Sequence, residues 1–187
     1  TRPHIIRTNT QFTEAKVLDY IFPEKASNEA NSIADFLVDT KGRVWISTSL
    51  DGLCYYNDAR QKFQRIVHDP LRPSSPVVNS LGRLFQDNNG LIWAATSGFG
   101  ANYFDPYNTF FTTFLPSPDE SFTQTWKRVL STTQDKKGNL WISTGEGVLC
   151  YDYSMSLLRT WSNAPGRPDQ IHFNSVRTVV ADDPWIW

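Results

Sequence analysis

The fold of this chain is decided by the stretch Asp39-Thr-Lys-Gly42-Arg-Val-Trp45-Ile-Ser-Thr48. The same phrase returns as Asp87-Asn-Asn-Gly90-Leu-Ile-Trp93-Ala-Ala-Thr96 and as Asp135-Lys-Lys-Gly138-Asn-Leu-Trp141-Ile-Ser-Thr144. The three tryptophans are spaced 48 residues apart. Self-similarity at a fixed period of about 40–50 residues indicates a repeat architecture. The shared residues of the repeats are therefore mostly structural, and residues that differ between the repeats carry the information about function.

Each repeat is predicted to contain four short strands joined by tight turns. The Asp-x-x-Gly segment is a turn, because Asp bonds its own backbone two residues on and Gly supplies a positive φ. Four-stranded units at this period are typical of β-propeller blades. The chain is thus predicted to be all-β, a propeller segment of four-stranded antiparallel blades with repeats of 48 residues. The predicted strands are 32–38, 43–48, 53–57 and 62–67; 81–86, 91–96, 101–105 and 110–115; 129–134, 139–144, 148–152 and 157–161.

The repeats divide the chain into blades at 31–78, 79–126 and 127–173. Residues 174–187 begin a further, incomplete blade, in which Pro184 stands where Gly is expected. Residues 1–30 form an N-terminal segment, and 17–22 are predicted as an outer strand of a preceding or ring-closing blade. Three arrangements remain open: a segment of a longer propeller, a small ring closed by the two ends, and half-rings paired between chains.

Composition and cysteine usage restrict the class of protein. With 187 residues, 40% of them hydrophobic, the chain is long enough for one domain with a packed core. The net charge of -1, without a basic block, predicts no nucleic-acid partner and no direct membrane contact. Cys54 and Cys150 each lie nine positions after a repeat tryptophan. We therefore expect equivalent sites two blades apart, beyond the ~7 Å Cα limit for a disulfide, and two buried thiols. No metal site or cofactor is predicted, because His and Cys partners at ligand spacing are lacking.

The repeated phrase resembles the two-component regulator propeller repeat. The run Gly52-Leu-Cys-Tyr-Tyr-Asn57 and the linker His68-Asp-Pro-Leu-Arg-Pro-Ser-Ser-Pro-Val-Val-Asn79 carry the same resemblance. It implies a periplasmic sensor region of a hybrid two-component system, in which many relatives sense oligosaccharides. The implied function is ligand sensing without catalysis by this chain, with the signal passed to a histidine kinase outside it. The implied partners are an oligosaccharide or other small ligand, further blades and signalling domains of a parent chain, and a second copy in a homodimer.

The candidate binding residues come from loops that open on one face of the predicted disc. These loops are the blade-to-blade links and the turns between second and third strands, and loops on a rigid scaffold commonly carry function. Aromatic faces suit stacking on sugars, and Arg or Asp suits directional bonds to hydroxyls or carboxylates. Trp126 is the strongest candidate, because it lies outside the repeated tryptophan position. The predicted set is Trp126, His68, Arg72, Asp51, Phe99, Arg167, His172 and Phe173.

The residues shared by all repeats are predicted to be structural. The tryptophans are expected to pack between blades, and the aspartates and glycines to form turns. This set is Trp45, Trp93, Trp141, Asp39, Asp87, Asp135, Gly42, Gly90 and Gly138.

Two other functions compete with ligand sensing. A propeller lyase or glycosidase needs convergent acid and base groups, and the mouth offers only Glu120 and Glu146. No catalytic residue is therefore predicted. A protein-interaction or dimerisation scaffold without a small ligand is the other alternative, and it predicts self-association independent of added sugar.

Overall fold

The computed structural model describes residues 4–11, 13–19, 32–108, 110–116, 126–163, 166 and 170–187. Within these residues the secondary structure consists of strands and turns, with no helix. Three sheets have four antiparallel strands each, and every strand pairs with its neighbour in sequence. The sixteen strands are β1 (His4–Thr8), β2 (Ala15–Asp19), β3 (Ile33–Val38), β4 (Val44–Thr48), β5 (Leu53–Asn57), β6 (Lys62–Ile66), β7 (Leu81–Gln86), β8 (Ile92–Thr96), β9 (Ala101–Phe104), β10 (Phe111–Phe114), β11 (Val129–Gln134), β12 (Leu140–Thr144), β13 (Val148–Tyr151), β14 (Leu157–Trp161), β15 (Ala181–Asp182) and β16 (Trp185–Ile186).

The four-stranded sheets are the first blade (β3–β6), the second blade (β7–β10) and the third blade (β11–β14). The predicted strand ends agree with the observed ends to within one residue, because alternating hydrophobicity and Gly-containing turns mark both. The prediction of an all-β fold built from four-stranded antiparallel sheets is confirmed.

The blades stack face to face, with their inner strands β3, β7 and β11 side by side. Because successive side chains on a strand point to opposite faces, Trp45 faces the second blade while its neighbours Val44 and Ile46 face the other way. Trp45 is fully buried against Leu81 and Phe104, and its ring centroid lies 5.2 Å from that of Phe104. The large ring therefore contributes to the core between two blades.

The two other repeat tryptophans differ in their surroundings. Trp93 is buried in the cluster that includes Leu140 and Ile142 of the third blade. Trp141 is half-buried and stacks on Trp161 of its own blade, with centroids 5.1 Å apart. The tryptophan position is thus an inter-blade core position wherever a described blade lies against it.

The hairpin β1–β2 covers the face of the first blade that points away from the second blade. Leu18 packs on Val44 and Tyr56, and Ile5 packs beside Ile46. The strand predicted over 17–22 is observed as Ala15–Asp19, and residues 20–22 lie outside the described part of the chain.

Residues 176–180 run beside the inner strand of the third blade. The Val179 amide donates to Ser131 Oγ at 2.9 Å, and the Val176 amide donates to the Thr144 carbonyl at 3.2 Å. The short hairpin β15–β16 follows, closed by the pair Asp182 and Trp185 around Pro184.

Both cysteines are buried thiols rather than half-cystines, but their predicted equivalence is wrong. Cys54 pairs with Ile46, on the face opposite Trp45, whereas Cys150 pairs with Trp141 directly and shares its face. The reason is the turn before the third strand: it holds residues 49–52 in the first blade but only 145–147 in the third. Because this turn is one residue shorter in the third blade, the pairing of the following strand shifts by one residue. The two cysteines therefore lie on opposite faces of their blades despite their equal spacing from the tryptophans. Burial raises the pKa of the Cys150 thiol to about 11, with the negative charges of Asp135 and Asp152 adding to the effect.

Candidate functional site

The aspartate of each repeat holds its turn and its tryptophan together. Asp87 Oδ2 accepts the Trp93 Nε1–H at 2.9 Å, while Oδ1 accepts the amides of Asn89 and Leu91 at 2.9 Å each. Asp39 and Asp135 make the same three types of bond. The bond to the indole explains the constant six-residue spacing from Asp to Trp, which the turn alone does not require. These carboxylates are fully engaged in the scaffold and lie one blade apart.

Asp135 shows the electrostatic consequence of this arrangement. Burial acts to raise its pKa, but hydrogen bonds from the side chains of Trp141 and Asn139 and from the Asn139 and Lys137 amides stabilise the carboxylate. Because the hydrogen bonds prevail, the pKa of Asp135 lies below its usual value.

A second repeated contact, which was not among the sequence-based predictions, links neighbouring blades. Gln86 Oε1 accepts the Thr40 amide of the first blade at 2.8 Å, and Gln134 Oε1 accepts the Asn88 amide of the second at 2.7 Å. Each glutamine also donates to a carbonyl of its own turn, that of Gly90 or Gly138. The equivalent residue of the first blade is the exposed Val38. A glutamine immediately before the repeated aspartate was the available signal.

The blade-to-blade links and the second-to-third turns meet at one end of the blades, which we call the loop end. The Gly52 amide donates to the Asn79 carbonyl at 2.9 Å, and the Gly100 amide donates to the Lys127 carbonyl at 2.7 Å. After the third blade, Asn174 Nδ2 donates to Glu146 Oε2 in that blade's second-to-third turn at 3.1 Å. The opposite end, with the Asp-x-x-Gly turns, we call the turn end.

The candidates of the first blade lie together at the loop end but are already engaged. Asp51 is buried and its Oδ1 lies 3.2 Å from Arg65 Nη1. His68 Nδ1 lies 2.8 Å from the Pro76 carbonyl oxygen. Arg72 is exposed, with its Nε 3.9 Å from Asp69 Oδ2. Asp51 and His68 are therefore parts of the loop framework, and Arg72 is the accessible member of this group.

The aromatic candidates are divided between two positions at the loop end. Phe99 and Trp126 immediately precede Gly100 and Lys127, the two residues joined by a backbone hydrogen bond. Phe99 is 49% exposed, whereas Trp126 is half-buried against the core between the second and third blades. His172 and Phe173 are exposed in the link after the third blade, and the His172 carbonyl accepts Asn163 Nδ2. Arg167 and Glu120 lie outside the described residues.

A groove at the loop end passes between the inner strands and contains none of the predicted binding residues. It has a volume of about 240 Å³. The pairing of each inner strand with its neighbour shifts register near its start, between Ile33 and Asp35, Leu81 and Leu84, and Val129 and Ser131. Such irregularities redirect side chains and are common beside binding sites. The groove, hereafter the inner groove, is lined by Ala34, Ser49, Ser80, Leu81, Gly82, Arg83, Ala95, Thr96, Ser97, Arg128, Val129 and Leu130.

Arg83 and Arg128 are the residues that the sequence interpretation missed. Both are exposed and line the inner groove. Arg83 occupies the position of Asp35 and Ser131 in the other two repeats, and Arg128 occupies the position of Ser32 and Ser80. Variation between repeats at these two inner-strand positions, rather than in the loops, is the sequence signal that marks them.

A larger cleft of about 670 Å³ lies at the turn end, between the Asp-x-x-Gly turns of the first and second blades. Lys41 lies over the Tyr107 ring there, with Nζ 3.8 Å from the centroid. Arg43 lines a neighbouring cavity of about 290 Å³ and donates from Nη1 to the Pro106 carbonyl at 2.8 Å. The scaffold therefore holds Lys41 in the cleft and Arg43 beside it.

The described residues contain no group of three or more His, Cys, Asp or Glu side chains that could hold a metal ion. No helix in this part of the chain is long and apolar enough to cross a membrane.

Comparison with known proteins supports the fold and the repeat. The family model described as "Two component regulator propeller" matches residues 124–146. No curated protein matches the chain significantly. Among solved structures, the extracellular domain of a protein assigned to a hybrid two component system of B. thetaiotaomicron has a TM-score of 0.51 at 15% identity, covering 95% of this chain and 37% of that one.

Two enzymes share the architecture. Virginiamycin B lyase from Staphylococcus aureus has a TM-score of 0.59 at 12% identity, covering 87% of this chain and 49% of the lyase. A luciferin-regenerating enzyme has a TM-score of 0.54 at 16% identity, covering 86% of this chain and 56% of the enzyme. The chain thus spans less than two thirds of each protein, and identities this low show the fold alone. The family match confirms the resemblance of the repeated phrase for residues 124–146, and the solved structures show that the chain has a β-propeller fold.

Proposed function

We propose that this chain is the ligand-sensing part of an extracytoplasmic, periplasmic propeller in a hybrid two-component sensor, and that its ligand is an oligosaccharide. The repeat match and the similarity to an extracellular domain of such a system support the sensor role. The signal passes to a histidine kinase outside this chain. For a ligand to signal, it must bind one arrangement of the propeller more tightly than another.

The observation that carries the proposal is the composition of the loop end. The inner groove opens where the links and second-to-third turns gather, and hydroxyls of Ser49, Ser80 and Ser97 line it. Exposed aromatic rings stand at the same end, Phe99 beside the second blade and Phe173 beside the third. Hydroxyl groups and aromatic faces are the chemistry that sugars require. The shared carboxylates, in contrast, are engaged in the turns.

A thermal-shift screen of this chain against a panel of defined oligosaccharides tests the proposal. A ligand present at ~100 times its Kd adds about 2.7 kcal/mol to the free energy of unfolding, enough for a clear rise in Tm. We expect one glycan family to raise the Tm, and the Phe99→Ala substitution to reduce that rise. Tyr107→Ala is the matched control, because Tyr107 is 48% exposed, close to the 49% of Phe99, but lies at the turn end.

The results that would contradict the proposal point to its two competitors. If a well-folded protein shows no shift with any glycan, the interaction scaffold becomes the better explanation. Leu71 and Phe173, 92% and 80% exposed at the loop end, favour that alternative, and sedimentation without sugar would reveal self-association. If the chain converts a panel member with continued turnover, the enzyme explanation replaces sensing.

A further inference from the structure

The inner groove contains a residue that departs from a hydrogen-bonding pattern of the scaffold, in which an inner-strand side chain accepts a backbone amide of the next repeat. In the first blade Asp35 Oδ2 accepts the Leu84 amide of the next blade at 2.9 Å, and in the third blade Ser131 Oγ accepts the Val179 amide at 2.9 Å. Arg83 occupies this position in the second blade. A guanidinium has only donors, so Arg83 cannot make the inter-blade bond. Scaffold requirements therefore do not explain an arginine here, and its side chain is exposed in the groove.

Arg128 is a second cation at the same groove. It stands where Ser32 and Ser80 stand in the preceding repeats, and its backbone carbonyl accepts the Gly145 amide at 3.2 Å. The backbone is thus fixed by the third blade while the exposed side chain borders the groove. The inner strands β7 and β11 pack against each other, which brings both arginines to the same junction between blades.

The charge balance of the inner groove selects the type of ligand. Its described lining contains two arginines and no carboxylate, so a negative charge brought between them is favoured. Guanidinium groups bind carboxylates and sulfates through paired N–H donors, and are preferred for such planar recognition. The volume of about 240 Å³ is just below the ~300 Å³ at which ligand pockets begin, which suits one charged sugar unit of a longer chain.

From these observations we propose that the inner groove binds the acidic group, a carboxylate or a sulfate, of an acidic oligosaccharide, with Arg83 and Arg128 as its two ligands. The inference rests on the proposed function and specifies its ligand class. The small residues Ala34 and Gly82 in the lining leave room for a sugar ring close to the strands.

Calorimetric titration with matched probes tests the inference. The probes are trigalacturonate against its methyl-esterified form, a sulfated disaccharide against its unsulfated form, and inorganic sulfate alone. The acidic member of one pair should bind at least about tenfold more tightly than its neutral partner, and more weakly as salt is raised. Arg83→Gln and Arg128→Gln should each weaken that binding about 10- to 100-fold. Arg60→Gln, an exposed arginine in the turn between β5 and β6, should leave it unchanged.

A graded variant separates binding from folding. Arg83→Lys keeps the charge but loses the paired donors, so it should bind the acidic sugar with an affinity between those of wild type and Arg83→Gln. An unchanged circular dichroism spectrum would show that each variant is folded. Binding of neutral sugars that the arginine variants do not alter would overturn the inference and leave the proposed function standing. If no sugar binds, both the inference and the proposed function are overturned. If inorganic sulfate binds as tightly as the acidic sugars, the groove is a general anion site and the inference is overturned.

Discussion

Replacement of Asp87 tests whether the repeated aspartate stabilises the fold by joining its turn to its tryptophan. In Asp87→Ala three donors lose their acceptor: the indole of Trp93 and the amides of Asn89 and Leu91. Trp93 is only 4% exposed, so its unsatisfied N–H costs about 1–3 kcal/mol. Asn89 is exposed and Leu91 half-buried, so water replaces the carboxylate at their amides for about 0.5–1 kcal/mol each. We expect a loss of about 2–5 kcal/mol in the free energy of unfolding.

Urea denaturation followed by far-ultraviolet circular dichroism measures this loss. With a slope of about 2 kcal/mol per molar urea, the midpoint should fall by about 1–2.5 M while the slope is unchanged. Asp87→Asn should lie between wild type and alanine, because its amide keeps one acceptor oxygen but directs N–H donors at Trp93. Asp105→Ala is the matched control, since Asp105 is exposed and its carboxylate accepts the Tyr107 amide. Equal urea midpoints for Asp87→Ala and Asp105→Ala would refute the claim that the Asp87 carboxylate stabilises the blade.

Two further predictions concern the loop end and pH. In Gly100→Ala the new Cβ meets the Phe114 carbonyl oxygen well inside van der Waals contact at a φ of 76°, whereas Gly98→Ala, with a φ of 94°, has nothing within 4 Å. Gly98→Ala should therefore cost about 1–2 kcal/mol of strain and Gly100→Ala at least about 1–3 kcal/mol more, and equal thermal stabilities would contradict this. For Asp135, whose folded pKa is lowered, the charge-dependent stability is fully present above the unfolded pKa of about 3.9 and is lost as pH falls through the folded value. The difference in unfolding free energy between wild type and Asp135→Asn should thus shrink from pH 5 downwards, and a constant difference in urea titrations from about pH 6 to pH 2.5 would disprove it.

The sequence alone determined the strands, their order and the fold class. Alternation of apolar residues fixes strand faces locally, and Asp39 and Gly42 fix a turn through contacts within a few residues. The three copies of the repeated phrase also sufficed for the family resemblance, because each copy encodes a turn and a strand through local contacts. These features depend on short-range geometry, which residue spacing encodes directly.

Only the tertiary structure decided which side chains share a surface. The shorter turn at 145–147 moved Cys150 to the face opposite that of Cys54, because parity is counted along the paired strands and not along the sequence. Asp51 and His68, chosen as ligands for their chemistry, are engaged by Arg65 and by the Pro76 carbonyl, partners that come into contact through packing of the loops. Arg83 and Arg128 lie 45 residues apart in sequence, and they border one groove only because adjacent blades bring their inner strands together. Local spacing thus specifies each blade, while the stacking of blades decides what the blades present in common.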